Sequence, residues 1–360
     1  MTPRKIALAG LGAAARSIHL PAYRRIAGLE VVGGCDPAAT SGWPFPTFAT
    51  AEEMLETTRP DLLAVLAPPA AHGALVRLGL EAGCHVLCEK PFTPTLEEAH
   101  ALVELAAARG RRIVVNQQYR FMNVHRAARD LIRAPELGEL LFLRAEQTFH
   151  RDDATEAGWR GQDPQRTCKE FGIHVLDLCR FFFDEEPRSL HARMPKPDGT
   201  GQADHLDLID LEFSGGRVAH IVLDRLCRGR HRYLNLRLDG SAGCVETRLG
   251  GGLEIGAGIR GGTRRPFLGF DLSLGGRARL YHGERFRKIA ADPLDLFAHA
   301  TRRLVEAFLD ALDRDAVPPC DAGDNVRSLA LMLAAYESDR RGERLRIRPD
   351  GAGWNPPGGD

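Results

Sequence analysis

The 360-residue sequence has no surplus of charge of either sign, since Lys+Arg and Asp+Glu both number 48. Gripping nucleic acid or an anionic membrane surface through phosphates needs a basic excess or a basic face. The composition offers no such excess and leaves only a local basic pocket open. No apolar run approaches the roughly 20 residues of a membrane span. Arg4-Lys5 before Ile6–Leu11 resembles the start of a signal peptide. However, a glycine turn, Arg16 and His19 follow at once, which suits a strand entering a turn better. The eight cysteines, at 35, 84, 88, 168, 179, 227, 244 and 320, include no CxxC pair. Cys84 and Cys88 lack a second pair to complete a zinc site. They read as reduced, mostly buried thiols of a cytoplasmic protein without a metal centre. Lysine is scarce, with five against 43 arginines.

What is present is an ordinary globular composition, 44% hydrophobic and 27% charged, in a chain long enough for two domains. The first 120 residues alternate short apolar runs with helical patterns. Strands are expected at Lys5–Ala9, Glu30–Cys35, Leu62–Ala67, His85–Cys88 and Arg112–Val115. Helices are expected near Ala14–Ile26, Ala71–Ala82 and Thr95–Ala108. Continuously apolar strands such as Leu62-Leu63-Ala64-Val65-Leu66 suit a parallel sheet buried on both faces, and the βα alternation gives right-handed crossovers. After about Arg120 the pattern loosens towards period two, at Glu139–Phe149, Leu206–Phe213 and Val218–Asp224, as in a mostly antiparallel, half-exposed sheet. Gly250–Gly276, rich in Gly and Arg, reads as loop. Helices near Pro293–Asp313 and Asp324–Arg340 close the chain before a coil tail.

Two local patterns carry chemistry. Gly10-Leu11-Gly12-Ala13-Ala14-Ala15 follows an apolar strand and opens a helix. The glycines let backbone approach a pyrophosphate, and the helix start supplies unpaired N–H groups. Asp36 closes the second strand, where an acidic side chain would accept ribose hydroxyls. With no basic residue from Asp36 through Phe48 to neutralise a 2′-phosphate, NAD is favoured over NADP. A structural βα turn that binds nothing is the other reading. Lys90, in His85-Val86-Leu87-Cys88-Glu89-Lys90-Pro91, stands at a strand end facing the ligand crevice of an open α/β sheet. Pro91 cannot continue the ladder and is a place for unusual peptide geometry. Glu170, His174 and Asp177 share one face of a predicted helix beside an apolar stripe of Phe171, Val175, Leu178 and Phe182. A satisfied structural histidine competes there with a catalytic one.

On these residues the chain resembles the Gfo/Idh/MocA oxidoreductases, the group of glucose–fructose oxidoreductase and inositol 2-dehydrogenase. The resemblance also rests on Ile18-His19-Leu20-Pro21-Ala22, Ala67-Pro68-Pro69 with His72, Gln118-Tyr119-Arg120-Phe121, Trp159-Arg160 and Ala334-Ala335-Tyr336-x-Ser338. Glu89-Lys90-Pro91 is its most specific element. It implies an α/β fold, with a Rossmann domain at 1–121, an α/β domain with an open, mostly antiparallel sheet at 122–348, and a tail at 349–360. It also implies a homodimer or homotetramer acting on a small-molecule substrate, with no nucleic-acid or membrane partner. Lys90 and His174 become an acid–base pair with Glu170 as partner, transferring hydride between NAD and a secondary alcohol of a sugar, cyclitol or derivative. Gly10, Gly12, Ala13, Ala14, Ala15, Asp36, Ala67, Pro68, His72, Glu89, Lys90, Gln118, Trp159 and Arg160 fall at the cofactor. Tyr119, Arg120, Arg166, Lys169 and Asp177 fall near the substrate. With Arg151 and Arg160, the cations Arg166 and Lys169 point to a carboxylate or phosphate on it.

Three departures stand out. Glu170 occupies a position usually held by Asp, a change on the scale to which catalytic geometry responds. Asp163–Lys169 replaces a glycine-rich run, so bulkier residues must reshape the mouth of the pocket. After Asp36 comes Gly42-Trp43-Pro44-Phe45-Pro46, where a second helix is usual, and Trp43 there is either an adenine cover or a hydrophobic plug. These departures keep two other functions open. One is a non-catalytic dinucleotide-binding sensor or regulatory protein. The other is an enzyme that uses bound NAD transiently in a redox-assisted elimination or hydrolysis.

Overall fold

In the computed structural model the described residues are 3–38, 41–132, 134–150, 163–197, 203–229, 232–259, 266–283 and 285–355. The chain divides into two compact units, Met1–Phe121 with Phe297–Leu331, and Met122–Leu296 with Met332–Asp360. Residues 297–331, late in the chain, fall with the first unit.

Strand β1 (Arg4–Ala9) forms where the chain turns apolar after Arg4-Lys5, and Ile6, Ala7, Leu8 and Ala9 are all fully buried. It lies at the centre of a parallel sheet ordered β3-β2-β1-β4-β5-β6. The other strands are β2 (Leu29–Cys35), β3 (Thr47–Phe48), β4 (Leu62–Val65), β5 (His85–Cys88) and β6 (Ile113–Val115). A π-helical turn at Ala15–His19 runs into α1 (Leu20–Tyr23), and α2 (Ala51–Thr58), α3 (His72–Glu81) and α4 (Leu96–Ala108) follow. Thr50 and Thr95 cap α2 and α4 by accepting from the N–H groups of Glu53 and Glu98, the Thr-x-x-Glu signature of a helix start. The segment after Asp36 holds no helix before Thr50 among the described residues, and the next helix is α2. Because β1 and β4 are neighbours while β2 departs to the other side, the carboxyl ends of β1 and β4 flank the switch point, where open α/β sheets bind ligands.

The second unit is built on a nine-stranded mixed sheet. From one edge its order is β16 (Arg285–Asp292), β15 (Gly276–His282), β12 (Cys244–Leu249), β11 (Arg232–Gly240), β7 (Leu140–Thr148), β10 (Val218–Asp224), β9 (Leu206–Glu212), β8 (Ser189–Arg193) and β17 (Leu345–Arg346). Only β7 and β10 pair in parallel. Alternation is clear on β10, where Ala219, Ile221 and Leu223 are buried between part-exposed neighbours. On the covered face α5 (Asn123–Ile132) packs on β15 and β16, and α6 (Ile173–Phe183) packs on β7. The open face carries interleaved charges on adjacent strands, among them Arg144, Glu146, Arg237, Glu246, Arg248 and Arg279. The glycine-rich segment expected to be loop instead forms the hairpin β13 (Gly252–Ile259) and β14 (Pro266–Ser273). Helices α7 (Leu296–Asp313) and α8 (Ala322–Arg341) close the chain as expected. The start of the expected coil tail is packed, since Ile347 bridges Trp354 and Gly351 is buried against Glu186. No helix among the described residues is long and apolar enough to cross a membrane.

Candidate active site

In the first unit the residues singled out from sequence gather at the carboxyl edge of the parallel sheet. Gly10, at φ 101°, leaves β1 with its N–H on the Cys35 carbonyl at 2.9 Å. A Cβ there would lie 2.6 to 2.8 Å from backbone atoms of Leu66 and Ala67 at the end of β4. Gly12 differs, because a Cβ there would meet nothing within 4 Å. Gly10 is therefore required by the fold, whereas Gly12 leaves open the space a pyrophosphate would use. We expect Gly10→Ala to cost at least about 1–3 kcal/mol from backbone strain alone. Gly12→Ala should keep the melting temperature and weaken NAD binding. Thermal unfolding beside NAD titration separates the two, and equal stability losses would contradict this division.

The Asp36 carboxylate stands at the end of β2. Its Oδ2 accepts from the Leu11 N–H and its Oδ1 from the Ala38 N–H, both at 2.8 Å. These bonds fix the carboxylate beside the glycine turn and leave lone pairs for ribose hydroxyls. Phe45 reaches Gly34 under the following loop, Trp43 stacks on Phe45 with ring centres 5.5 Å apart, and the Arg16 guanidinium lies 4.4 Å over Trp43. Phe45 is thus the plug, Trp43 lies against it, and Arg16 is a cation that inspection of residues 36–48 alone does not reveal. The open turn at Gly12, the oriented Asp36 and the helix start at Ala13 together fit a dinucleotide.

At the end of β5 the Lys90–Pro91 peptide is cis. Buried His72 ties this turn to the end of β4, placing Nδ1 2.8 Å from the Pro91 carbonyl and Nε2 2.9 Å from the Ala67 carbonyl. Burial pushes its pKa below the ordinary histidine value. The Glu89 carboxylate turns inward. Its Oε1 lies 2.7 Å from His19 Nε2 and accepts from Asn116 Nδ2 at 2.7 Å, and its Oε2 accepts from the Lys90 N–H at 3.2 Å. His19 Nδ1 lies 2.8 Å from the Tyr23 hydroxyl. Burial by itself would raise the Glu89 pKa, but the hydrogen bond from His19, the neighbouring Lys90 and the bond from Asn116 hold it at about 2. Gln118 and Tyr119 are buried beyond β6, and Arg120 pairs with Asp324 at 2.9 Å.

In the second unit a π-helical turn, Cys168–Gly172, leads into α6. Both π turns of the described structure therefore carry residues of the sequence motifs, in keeping with the use of such turns at functional sites. Glu170, His174 and Asp177 fall along the helix at exposures of 6%, 3% and 1%, so all three face the interior. Asp204 sets the entry to this helix. Its Oδ1 accepts from the N–H groups of Arg166 and Thr167 at 2.6 and 2.9 Å, and its Oδ2 from Cys168 at 3.2 Å. Tyr336 donates to Asp204 at 2.8 Å and accepts from the Lys169 N–H at 3.1 Å, which gives the Ala334–Ser338 motif a structural role. The bulk that replaces the glycine run is partly taken up inside. Arg166 is 1% exposed with Nη2 3.4 Å from His205 Nε2, and Lys169 pairs with Asp163 at 2.7 Å. Asp177 lies 3.7 Å from Arg180, which also forks onto Glu186.

Arg225, just after β10, is fully buried, donates to Glu170 at 2.8 Å and lies 5.4 and 5.1 Å from the ring centres of Phe149 and Phe171. Sequence reasoning missed it because the pairing spans 55 positions and no motif marks it. It missed Asp204 and Asn116 for the same reason. His19, within the Ile18–Ala22 motif, had no assigned role, and Tyr23, four residues on, was not singled out. Arg151, Trp159 and Arg160 lie outside the described residues. None of the eight cysteines is disulfide-bonded, and no cluster of metal-ligating side chains occurs among the described residues.

Residues 4–117 match the family described as oxidoreductase family, NAD-binding Rossmann fold, and residues 125–246 match the Gfo/Idh/MocA C-terminal domain. The chain is 27% identical over 357 residues to inositol 2-dehydrogenase of Pseudarthrobacter chlorophenolicus, covering 96% of each protein. It is 26% identical over 365 residues to D-apiose dehydrogenase of Paraburkholderia graminis, covering 96% of this chain and 90% of that one. An oxidoreductase from Agrobacterium radiobacter, in complex with NAD+, L-tartaric acid and magnesium, shares the fold with a TM-score of 0.77 at 19% identity, covering 96% of this chain and 98% of that one. With a glycine turn and acidic strand end that fit a dinucleotide, and both domains matched, the chain belongs to the Gfo/Idh/MocA family of oxidoreductases.

Proposed function

We propose that this protein interconverts a secondary alcohol and a ketone on a sugar, cyclitol or sugar derivative, with NAD rather than NADP as the redox partner. The observation that carries the reading is the shared sheet edge, where the Gly10–Ala15 turn, Asp36 and Lys90 stand at the ends of β1, β2 and β5. The named activities of the two curated relatives supply the substrate class. When bound, the nicotinamide supplies the hydride acceptor. An imidazole nitrogen of His174 takes the hydroxyl proton as the carbon is oxidised and returns it in the reverse direction. The Lys90 ammonium hydrogen-bonds the same oxygen and stabilises charge as it develops. Glu170, one turn before His174, orients the imidazole in this reading. The cations Arg120 and Lys169 are each engaged by a carboxylate, at Asp324 and Asp163, which favours a neutral polyol over a charged substrate.

The test is a screen of sugars, uronates, amino sugars and inositols for NAD reduction. At least one neutral polyol or cyclitol should yield NADH in step with ketone. Product forming while NADH never accumulates would overturn the reading in favour of transient redox use. For cofactor choice, Asp36→Ser should lower kcat/KM with NAD by roughly 10- to 100-fold, the loss of one hydrogen bond to a charged acceptor. The same change should raise use of NADP, whose 2′-phosphate the carboxylate repels, with Arg16 as a nearby cation. Unchanged discrimination between the two cofactors would contradict this role for Asp36.

A further inference from the structure

We infer that His19 is a positioning residue for Lys90, acting through Glu89 in the hydrogen-bonded chain Tyr23–His19–Glu89 beneath the Lys90 turn. The inference rests on Lys90 being a reacting group, as proposed above. His19 is fully buried and both ring nitrogens are engaged, Nε2 on Glu89 at 2.7 Å and Nδ1 on the Tyr23 hydroxyl at 2.8 Å. Because Glu89 is ionised, Nε2 must carry the proton and donate, while the tyrosine hydroxyl serves Nδ1. The Tyr23 phenol is held protonated by burial and by the Glu89 charge, so it does not compete for that role as an anion. The ring edge is also fixed against Tyr23, with centroids 5.6 Å apart and planes at 65°.

Asn116 completes the anchor. Oε1 of Glu89 takes two donors, His19 Nε2 and Asn116 Nδ2, which leaves Oε2 turned to the Lys90 backbone N–H. The carboxylate is thus pinned by groups from the first helix and from the end of β6, and its charge stands next to Lys90. An anion fixed there favours the ammonium form of Lys90, the form able to donate to the substrate oxygen. The other titratable groups that feel Glu89 are Cys88 and His72. Burial and then Glu89 raise the Cys88 thiol, and burial leaves the His72 imidazole below its ordinary value. Neither supplies a competing cation at neutral pH.

The test reads Lys90 directly on the full chain without cofactor. Acetic anhydride labelling of its amine is followed against pH by peptide mass spectrometry, in wild type and in Glu89→Gln, His19→Leu and His19→Gln. Glu89→Gln should lower the labelling midpoint by about one pH unit, the usual effect of removing one adjacent opposite charge. His19→Leu should move it the same way, because the carboxylate loses its anchor. His19→Gln, whose amide N–H takes the place of Nε2–H, should stay near wild type. His19→Leu should also raise the acid limb of the kcat/KM profile, since Glu89 no longer has the donor that keeps it ionised. A midpoint unchanged in His19→Leu, or moved equally in His19→Gln, would overturn the inference. Midpoints that move as expected beside a Lys90→Ala variant that turns over normally would overturn the proposed reaction while showing that His19 and Glu89 still set the state of the Lys90 amine.

Discussion

Replacing Lys90 by alanine should lower kcat/KM by about 10²- to 10⁴-fold, the range that a positioned proton-transferring or charge-stabilising group contributes. The dinucleotide affinity should change little, because the features that fit the pyrophosphate and ribose lie at Gly12 and Asp36, on the ends of other strands. The fold should tolerate the change. The turn is held by the Lys90 backbone N–H on Glu89 and by His72 on the Pro91 and Ala67 carbonyls, none of which needs the lysine amine. Steady-state kinetics with the best substrate of the screen, beside NAD titration of the same preparation, check both halves. A Lys90→Ala variant that turns over normally would place the chain with non-catalytic relatives of the fold. A variant that loses NAD binding as well would show that the residue acts on cofactor affinity instead of on the reaction.

The second large effect is one of stability. Arg225→Met should destabilise the second unit by about 3–5 kcal/mol, the cost of leaving a buried charge without its partner. Arg225 and Glu170 are both almost fully withdrawn from water and share a 2.8 Å bond. The methionine keeps apolar contact with Phe149 and Phe171 but leaves the Glu170 carboxylate stranded. The double variant Arg225→Met, Glu170→Gln should therefore recover most of the lost stability, since removing both charges of a buried pair is often close to neutral. It should not recover activity, because Glu170 is held to orient His174. Chemical unfolding of the two single variants and the double variant gives the coupling energy. A double variant no more stable than Arg225→Met would show that the arginine supports the core through other contacts.

Parts of this architecture were legible because their signals are local. Ile6–Ala9 and Leu62–Val65 read as buried parallel strands from apolar continuity alone, and the helix expected near Thr95–Ala108 is α4. The face shared by Glu170, His174 and Asp177 followed from helical spacing. What escaped is non-local. The carboxylate of Glu89 and the guanidinium of Arg225 find their partners 70 and 55 positions away, and one sequence carries no trace of such pairings. The hairpin at Gly252–Ser273 was hidden by glycines, which weaken the alternation that announces a strand. Placing residues 297–331 with the first unit depends on packing that no composition shift marks. The α2 helix was missed because attention stayed on the Gly42–Pro46 connection, while the Thr50 cap that starts it lies just beyond.

Whether hydride moves between a carbinol carbon and NAD on this protein is read most directly by isotope transfer. A neutral polyol or cyclitol that turns over would be supplied with deuterium on its carbinol carbon, and the NADH formed would be weighed by mass spectrometry. Each NADH should carry one deuterium, and the reaction should be lost in Lys90→Ala. Product formed with no deuterium in the nicotinamide would contradict hydride transfer to NAD.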